Sequence, residues 1–188
     1  KWSNVYLLHG GIIMAIIFPQ TSLTNPAGET WRITSSFTGD NNFMGANSMT
    51  NWERQDDVGG GTPYSGNILN ESSGVFTFNE LGWYYISMQC TFYHSQRTRH
   101  HQMYCYLSWN NGSNWDINMI ATGGITDANS GMSGNQNKGC FAATVLSIPS
   151  NSGSGTRKLR FGIDTENNGT ITYGTSTEQH TGFSVVKI

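Results

Sequence analysis

The chain has 188 residues, of which 36% are hydrophobic and 12% charged, and it carries a formal net charge of −2. That length suits one domain, or one domain with an arm, and the near-neutral balance argues against nucleic acid as a partner. No apolar run approaches the roughly 18 residues that a membrane-spanning helix needs, and the many Gly, Asn, Ser and Thr residues are those of a turn-rich all-β protein rather than a helical enzyme.

In chain order, the first segment is "VYLLHGGIIMAIIFP", apolar but interrupted by Gly10-Gly11 and ended by Pro19. With Lys1 in front it has a weak resemblance to a signal peptide, without a well-placed small-residue cleavage site. It also reads as upstream sequence running into a start at Met14, or as an arm or first strand that docks on a neighbour. The arm is the expectation adopted, over residues 1–29, with Ile12, Ile13, Ile16, Ile17 and Phe18 burying themselves on another chain and a domain following over 30–188. Residues 31–57 read mostly as loop with buried aromatics, and "VGGGTPYSG" at 58–66 as a flexible connection.

Strands then follow closely. Val75, Phe76, Thr77 and Phe78 are β-branched or aromatic, and Asn79-Glu80-Leu81-Gly82 has turn chemistry. From Trp83 to Tyr93 the chain alternates: Tyr84, Ile86, Met88, Cys90 and Phe92 share a core face, and Trp83, Tyr85, Ser87, Gln89, Thr91 and Tyr93 share a mixed face that needs a cover. "RHHQMYCYLSW" at 99–109 is another alternating strand, Asn111-Gly112 is a strong hairpin signal, and "DINMIA" leads out. Residues 122–139 read as a long loop, "CFAATVLSI" at 140–148 as a strand stopped by Pro149, 157–163 and 170–174 as a hairpin across "ENNG", and "TGFSVVKI" at 181–188 as a closing strand. Eight to ten short strands at this spacing predict a sandwich or jelly roll.

One segment carries a family resemblance. Gly74-x-Phe76-Thr77, a four-residue gap, then Gly82-x-Tyr84-Tyr85-Ile86 resembles the signature of the complement C1q domain, and "CYLSWNNGSNW", "ATVLSI", "KLRFGI" and "TGFSVVKI" are similar to its later strands. Leu81 replaces the family's usual proline, no collagen-like stalk occurs, and the loops at 93–101 and 122–139 are long for it. The resemblance implies a C1q/TNF-like jelly roll of about ten strands that assembles as a compact trimer. On that implication Trp83, Tyr85 and Tyr93 become the expected trimer contacts.

For chemistry the sequence offers no nucleophile elbow, no HExxH and no CxxC. His94, His100 and His101, with Asp56 or Asp57, could bind a metal, but scattered surface histidines are the preferred reading. Asp56, Asp57 and Asp127 suit calcium as hard oxygen ligands, and the resemblance adds to this; otherwise no cofactor is expected. Asp164-Thr165-Glu166 reads as a solvated hairpin end. Cys90, Cys105 and Cys140 cannot all pair within the chain; Cys90 and Cys105 could, although three buried free thiols is the preferred reading. Tyr106, Trp109 and Trp115 around the 110–115 hairpin could make a glycan or receptor platform, with core packing preferred for the same residues.

The expectation for function is therefore a non-catalytic, trimeric virion structural protein of phage type: a capsid decoration, head fibre or tail-fibre tip. It would anchor to other virion proteins by its arm and present a jelly-roll surface for adhesion to a host glycan or protein. The alternative is a secreted C1q-like recognition module. An enzyme on a jelly-roll scaffold is a third reading, for which no constellation stands out.

Overall fold

The computed structural model describes residues 27–40, 49–55, 67–125, 136–149 and 157–188. The proposed arm at 5–19 and the carboxylates Asp56, Asp57 and Asp127 lie outside the described residues. The described chain is all β: β1 (Gly28–Ile33), β2 (Ser35–Thr38), β3 (Trp52–Arg54), β4 (Leu69–Ser72), β5 (Val75–Phe78), β6 (Gly82–His94), β7 (Thr98–Ser108), β8 (Asp116–Ile125), β9 (Gln136–Ile148), β10 (Lys158–Thr165), β11 (Ile171–Thr175) and β12 (Gly182–Lys187).

These strands form two antiparallel sheets packed face to face as a jelly roll. The first sheet is built on β6. Along one side β6 pairs with β9 from Gly82↔Ile148 to His94↔Gln136. Its other side is shared, β12 taking residues 84–89 and β11 taking Phe92 and Tyr93. β1 pairs outside β12, β3 outside β1, and β2 outside β11. The second sheet runs β4-β5-β10-β7-β8.

Twelve described strands exceed the eight to ten predicted. The excess lies where sequence alternation is poorest. Residues 31–57, expected mostly as loop, contain the end of β1 and all of β2 and β3, strands of 6, 4 and 3 residues. β8 runs on to Ile125 and β9 begins at Gln136, so the loop expected over 122–139 is shorter. β1 begins at Gly28, two residues before the predicted domain start.

The β6 alternation sets the core. Tyr84, Ile86, Met88, Cys90 and Phe92 all point inward and are buried, as a period of two requires. At one end of the sandwich Trp31, Trp52, Phe76, Phe161 and Phe183 form an aromatic cluster, with ring centroids 4.4 to 5.5 Å apart for the closest pairs. The turn before Phe76 needs a glycine. Gly74 has φ of 78°, and a Cβ there would lie 2.1 Å from the Met49 carbonyl oxygen.

A carboxylate ties the two sheets together at this end. Glu29, on β1, is 1% exposed. It accepts hydrogen bonds from the Trp31 indole N–H (3.1 Å) and from the backbone N–H groups of Ile68 (2.6 Å) and Leu69 (3.3 Å). Arg54 Nη2 lies 3.6 Å away. Leu69 opens β4 of the second sheet, so one side chain of the first sheet caps the start of the second.

Candidate binding surfaces on the β6 sheet

The outward residues of β6 and its neighbours divide the solvent face of the first sheet into two zones. In the first, Trp83, Tyr85, Phe141 and Val145 are 58%, 40%, 64% and 51% exposed. Tyr85 stands directly opposite Val145 on one side and Val186 on the other, and Ala143 opposite Ser87. Together they make an apolar band crossing β9, β6 and β12. β9 forms the margin of this band, and among the described residues no strand pairs with its outer edge. β9 is 13 residues long and turns Phe141 and Val145 outward, and a strand edge without a partner strand is a template for further pairing.

The second zone lies at the other end of β6. Thr91, Tyr93, Asn137, Tyr173, Glu178 and His180 line a depression of about 470 Å³. The Tyr93 and Tyr173 rings are 6.1 Å apart at 63°, and the Tyr173 and His180 rings 4.4 Å apart at 85°, so three rings form a corner. His180 Nε2 sits 2.8 Å from Glu178 Oε2. The segment carrying Glu178 and His180 is pinned to β6: Gln89 Nε2 donates to the Gln179 carbonyl (2.8 Å), Thr91 Oγ1 to the His180 carbonyl (3.0 Å), and Thr91 N to Thr181 Oγ1 (3.1 Å). Tyr93 thus belongs to the polar corner, apart from Trp83 and Tyr85.

Of the other predicted site residues, Tyr106 and Trp115 share Arg160 as a neighbour. Tyr106 is buried, stacked 5.7 Å from Tyr104. Trp109 carries the Arg157 guanidinium 4.2 Å over its ring, and Trp115 carries that of Arg160 at 5.1 Å. The hairpin between the two tryptophans has positive φ at Asn111 (61°) and Gly112 (88°), as its Asn-Gly pair requires. Glu166 accepts hydrogen bonds from the Arg99 backbone and guanidinium, which lower its carboxyl pKa, so the end of β10, expected as a solvated hairpin end, is ion-paired and its Thr165 is buried.

The histidines do not cluster at the surface. Of the three metal candidates, His94 and His101 are buried and His100 is partly exposed. Among the described residues no three His, Cys, Asp or Glu side chains converge as a metal site. His101 projects inward from β7, in step with Met103 and Cys105, and stacks on Phe92 at 4.2 Å. Its Nε2 lies 3.4 Å from Cys90 Sγ and 3.3 Å from Thr172 Oγ1. The three cysteines are free and buried. Cys90 and Cys105 belong to different sheets, and the residue opposite Cys90 is Cys140. Burial pushes the Cys105 thiol up to about 12 and the Cys90 thiol well above its ordinary value, so neither offers a thiolate near neutrality.

Burial, with a smaller push from His100, lowers His101 from 6.5 to about 4. A histidine held neutral in the fold binds its proton only when the chain unfolds. Stability is then complete above pH 6.5 and falls as the pH drops from 6.5 towards 4, by about 3 kcal/mol for a shift of this size. Urea midpoints measured from pH 7.5 to 4 should show this loss, and His101→Phe should flatten the histidine part of the profile. An unchanged profile in that variant would exclude His101 as its source.

No family model matches the chain, and no curated protein is similar to it in sequence. Solved structures are similar in fold. The structure of murine APRIL at pH 5.0 superposes with a TM-score of 0.57 at 10% identity, over 87% of this chain and 99% of that one. The structure of Eiger TNF from S. frugiperda does so with a TM-score of 0.56 at 11% identity, over 87% of this chain and 92% of that one. At such identities the likeness is one of architecture. Two facing sheets, with β6 central in one and β10 in the other, give this chain a TNF-like jelly-roll fold.

Proposed function

We propose that the protein is a non-catalytic homotrimeric structural module whose subunits pack through the apolar band of Trp83, Tyr85, Phe141 and Val145. The observation that carries this reading is the band itself, set beside the unpaired edge of β9. Four large exposed apolar side chains on one flat face, flanking an open strand edge, are what a subunit contact covers. The number three comes from the C1q resemblance. The setting proposed is a virion, as a capsid decoration or fibre tip. The low charge content and the apolar segment at 5–19 support that setting, the segment serving as the attachment to other virion proteins.

Light scattering of the full chain at micromolar concentration is the test, with a mass of three subunits expected; a monomer would overturn the reading. Tyr85→Asp should raise the dissociation constant at least a hundredfold, about 3 kcal/mol, because assembly would bury an unpaired charge. Tyr85→Phe should stay trimeric. A folded Tyr85→Asp protein that remains a trimer would place the interface elsewhere.

A further inference from the structure

The polar corner at the far end of β6 is not explained by subunit packing. Tyr93 lies eight residues along the strand from Tyr85, about 26 Å at the rise of an extended chain, and its surroundings change character over that distance. Around Tyr85 the outward neighbours are Val145 and Val186; around Tyr93 they are Asn137, Tyr173 and His180.

We propose that this corner is a binding site for a neutral saccharide, with Tyr93 and Tyr173 supplying ring faces and Asn137, Glu178 and His180 supplying hydrogen bonds. The proposal rests on the reading of the protein as a non-catalytic module with a presenting surface, and names what that surface takes. A hexose ring has an apolar patch of C–H groups and a rim of hydroxyls, each both donor and acceptor. The corner offers the complement. The rings of Tyr93, Tyr173 and His180 stand at steep angles to one another, so a pyranose can lie against one and abut a second. The Asn137 carboxamide donates and accepts, the Glu178 carboxylate accepts, and the tyrosine hydroxyls do both. A volume of about 470 Å³ falls within the range of small-ligand clefts, about 300–1,000 Å³.

The charge pattern narrows the class. Among the described residues no Lys or Arg lines the corner and one carboxylate does, so phosphorylated, sulfated and sialylated ligands would meet repulsion without compensation. A quaternary ammonium would want an unengaged carboxylate enclosed by ring faces; here Glu178 is already held by the His180 imidazole at 2.8 Å. The corner is also built before any ligand arrives. The hydrogen bonds from Gln89 and Thr91 fix the 178–181 segment on β6, so the polar groups need little ordering on binding.

The test is an array of immobilised oligosaccharides ending in glucose, galactose, mannose, N-acetylglucosamine or N-acetylgalactosamine, with sialylated and phosphocholine-bearing probes alongside. The full chain should bind one or more neutral probes. Tyr173→Ala should weaken that binding at least tenfold. Glu178→Gln, at an exposed position where folding is not at stake, should weaken it severalfold. A thermal melt and a light-scattering mass for each variant keep loss of binding separate from loss of fold or assembly. Binding to none of the neutral probes, binding confined to sialylated or phosphocholine probes, or neutral binding untouched by Glu178→Gln and by a folded Tyr173→Ala would each overturn the proposal. A protein that binds neutral saccharides as a monomer would uphold the site and refute the trimer.

Discussion

Glu29→Ala is expected to cost about 3–5 kcal/mol of folding stability, the range for removing one partner of a buried ionic network. The carboxylate satisfies the Trp31 indole and the backbone N–H groups of Ile68 and Leu69 while lying 3.6 Å from Arg54. Alanine leaves those donors buried without that acceptor, and water has little access to a site where Glu29 is 1% exposed. Glu29→Gln keeps one carbonyl acceptor but turns an amide towards other donors, so it should fall between alanine and the natural residue. Urea denaturation of the three proteins is the measurement, and a loss below about 1 kcal/mol for Glu29→Ala would show that the carboxylate does not clasp the sheets. The position also separates two truncations. Removing residues 1–24 spares the clasp, whereas starting the chain at residue 30 deletes it.

Phe76→Ala should be of similar size, about 3–5 kcal/mol, through a different cause. Phe76 is fully buried and its ring lies 4.8 Å from Phe183, 5.1 Å from Trp31, 5.4 Å from Trp52 and 5.8 Å from Phe161. Trp31, Trp52 and Phe183 come from the first sheet and Phe161 from the second, so the cavity would open where the sheets meet. Rings fixed by neighbouring strands collapse poorly into such a space. Phe76→Leu, which fills part of it, should cost distinctly less. A shift in urea midpoint with unchanged slope would mark a lost packing contact, whereas a changed slope would mean that the native sandwich had loosened.

Much of the fold is legible where a strand has one wet face and one dry face. The run from Trp83 to Tyr93 alternates so cleanly that its inward set can be read off by period, and Gly74-x-Phe76 encodes a turn that admits no side chain followed by a ring at the centre of the core. β1 and β3 are less legible. They are short, β1 meets its partner Phe183 only from the far end of the chain, and β3 takes its register from β1, so local pattern says little. His101 was within reach: counting back by twos from Cys105 through Met103 arrives at it, and that period outweighs the usual preference of histidine for the surface. The apolar band was half visible, since Trp83 and Tyr85 stand on the mixed face, but Phe141 and Val145 join it only through the register of β9 on β6. The polar corner was not visible. Tyr93, Asn137, Tyr173 and His180 come from three strands and a loop, and no local spacing marks them as neighbours.

The place of β12 has a consequence for how the protein is made. β12 lies between β1 and β6, and its Ser184 side chain bonds that of Thr30 across a separation of 154 residues. Until the ribosome has added residues 182–187, β1 lacks the neighbour that holds it in the sheet and β6 lacks one along residues 84–89. At 5–20 residues per second that interval is about 8–30 s, during which Trp31 and Ile33 have emerged without the sandwich that buries them. Over that interval the first sheet cannot close between β1 and β6, so its apolar residues stay open to chaperones and to other copies of the chain.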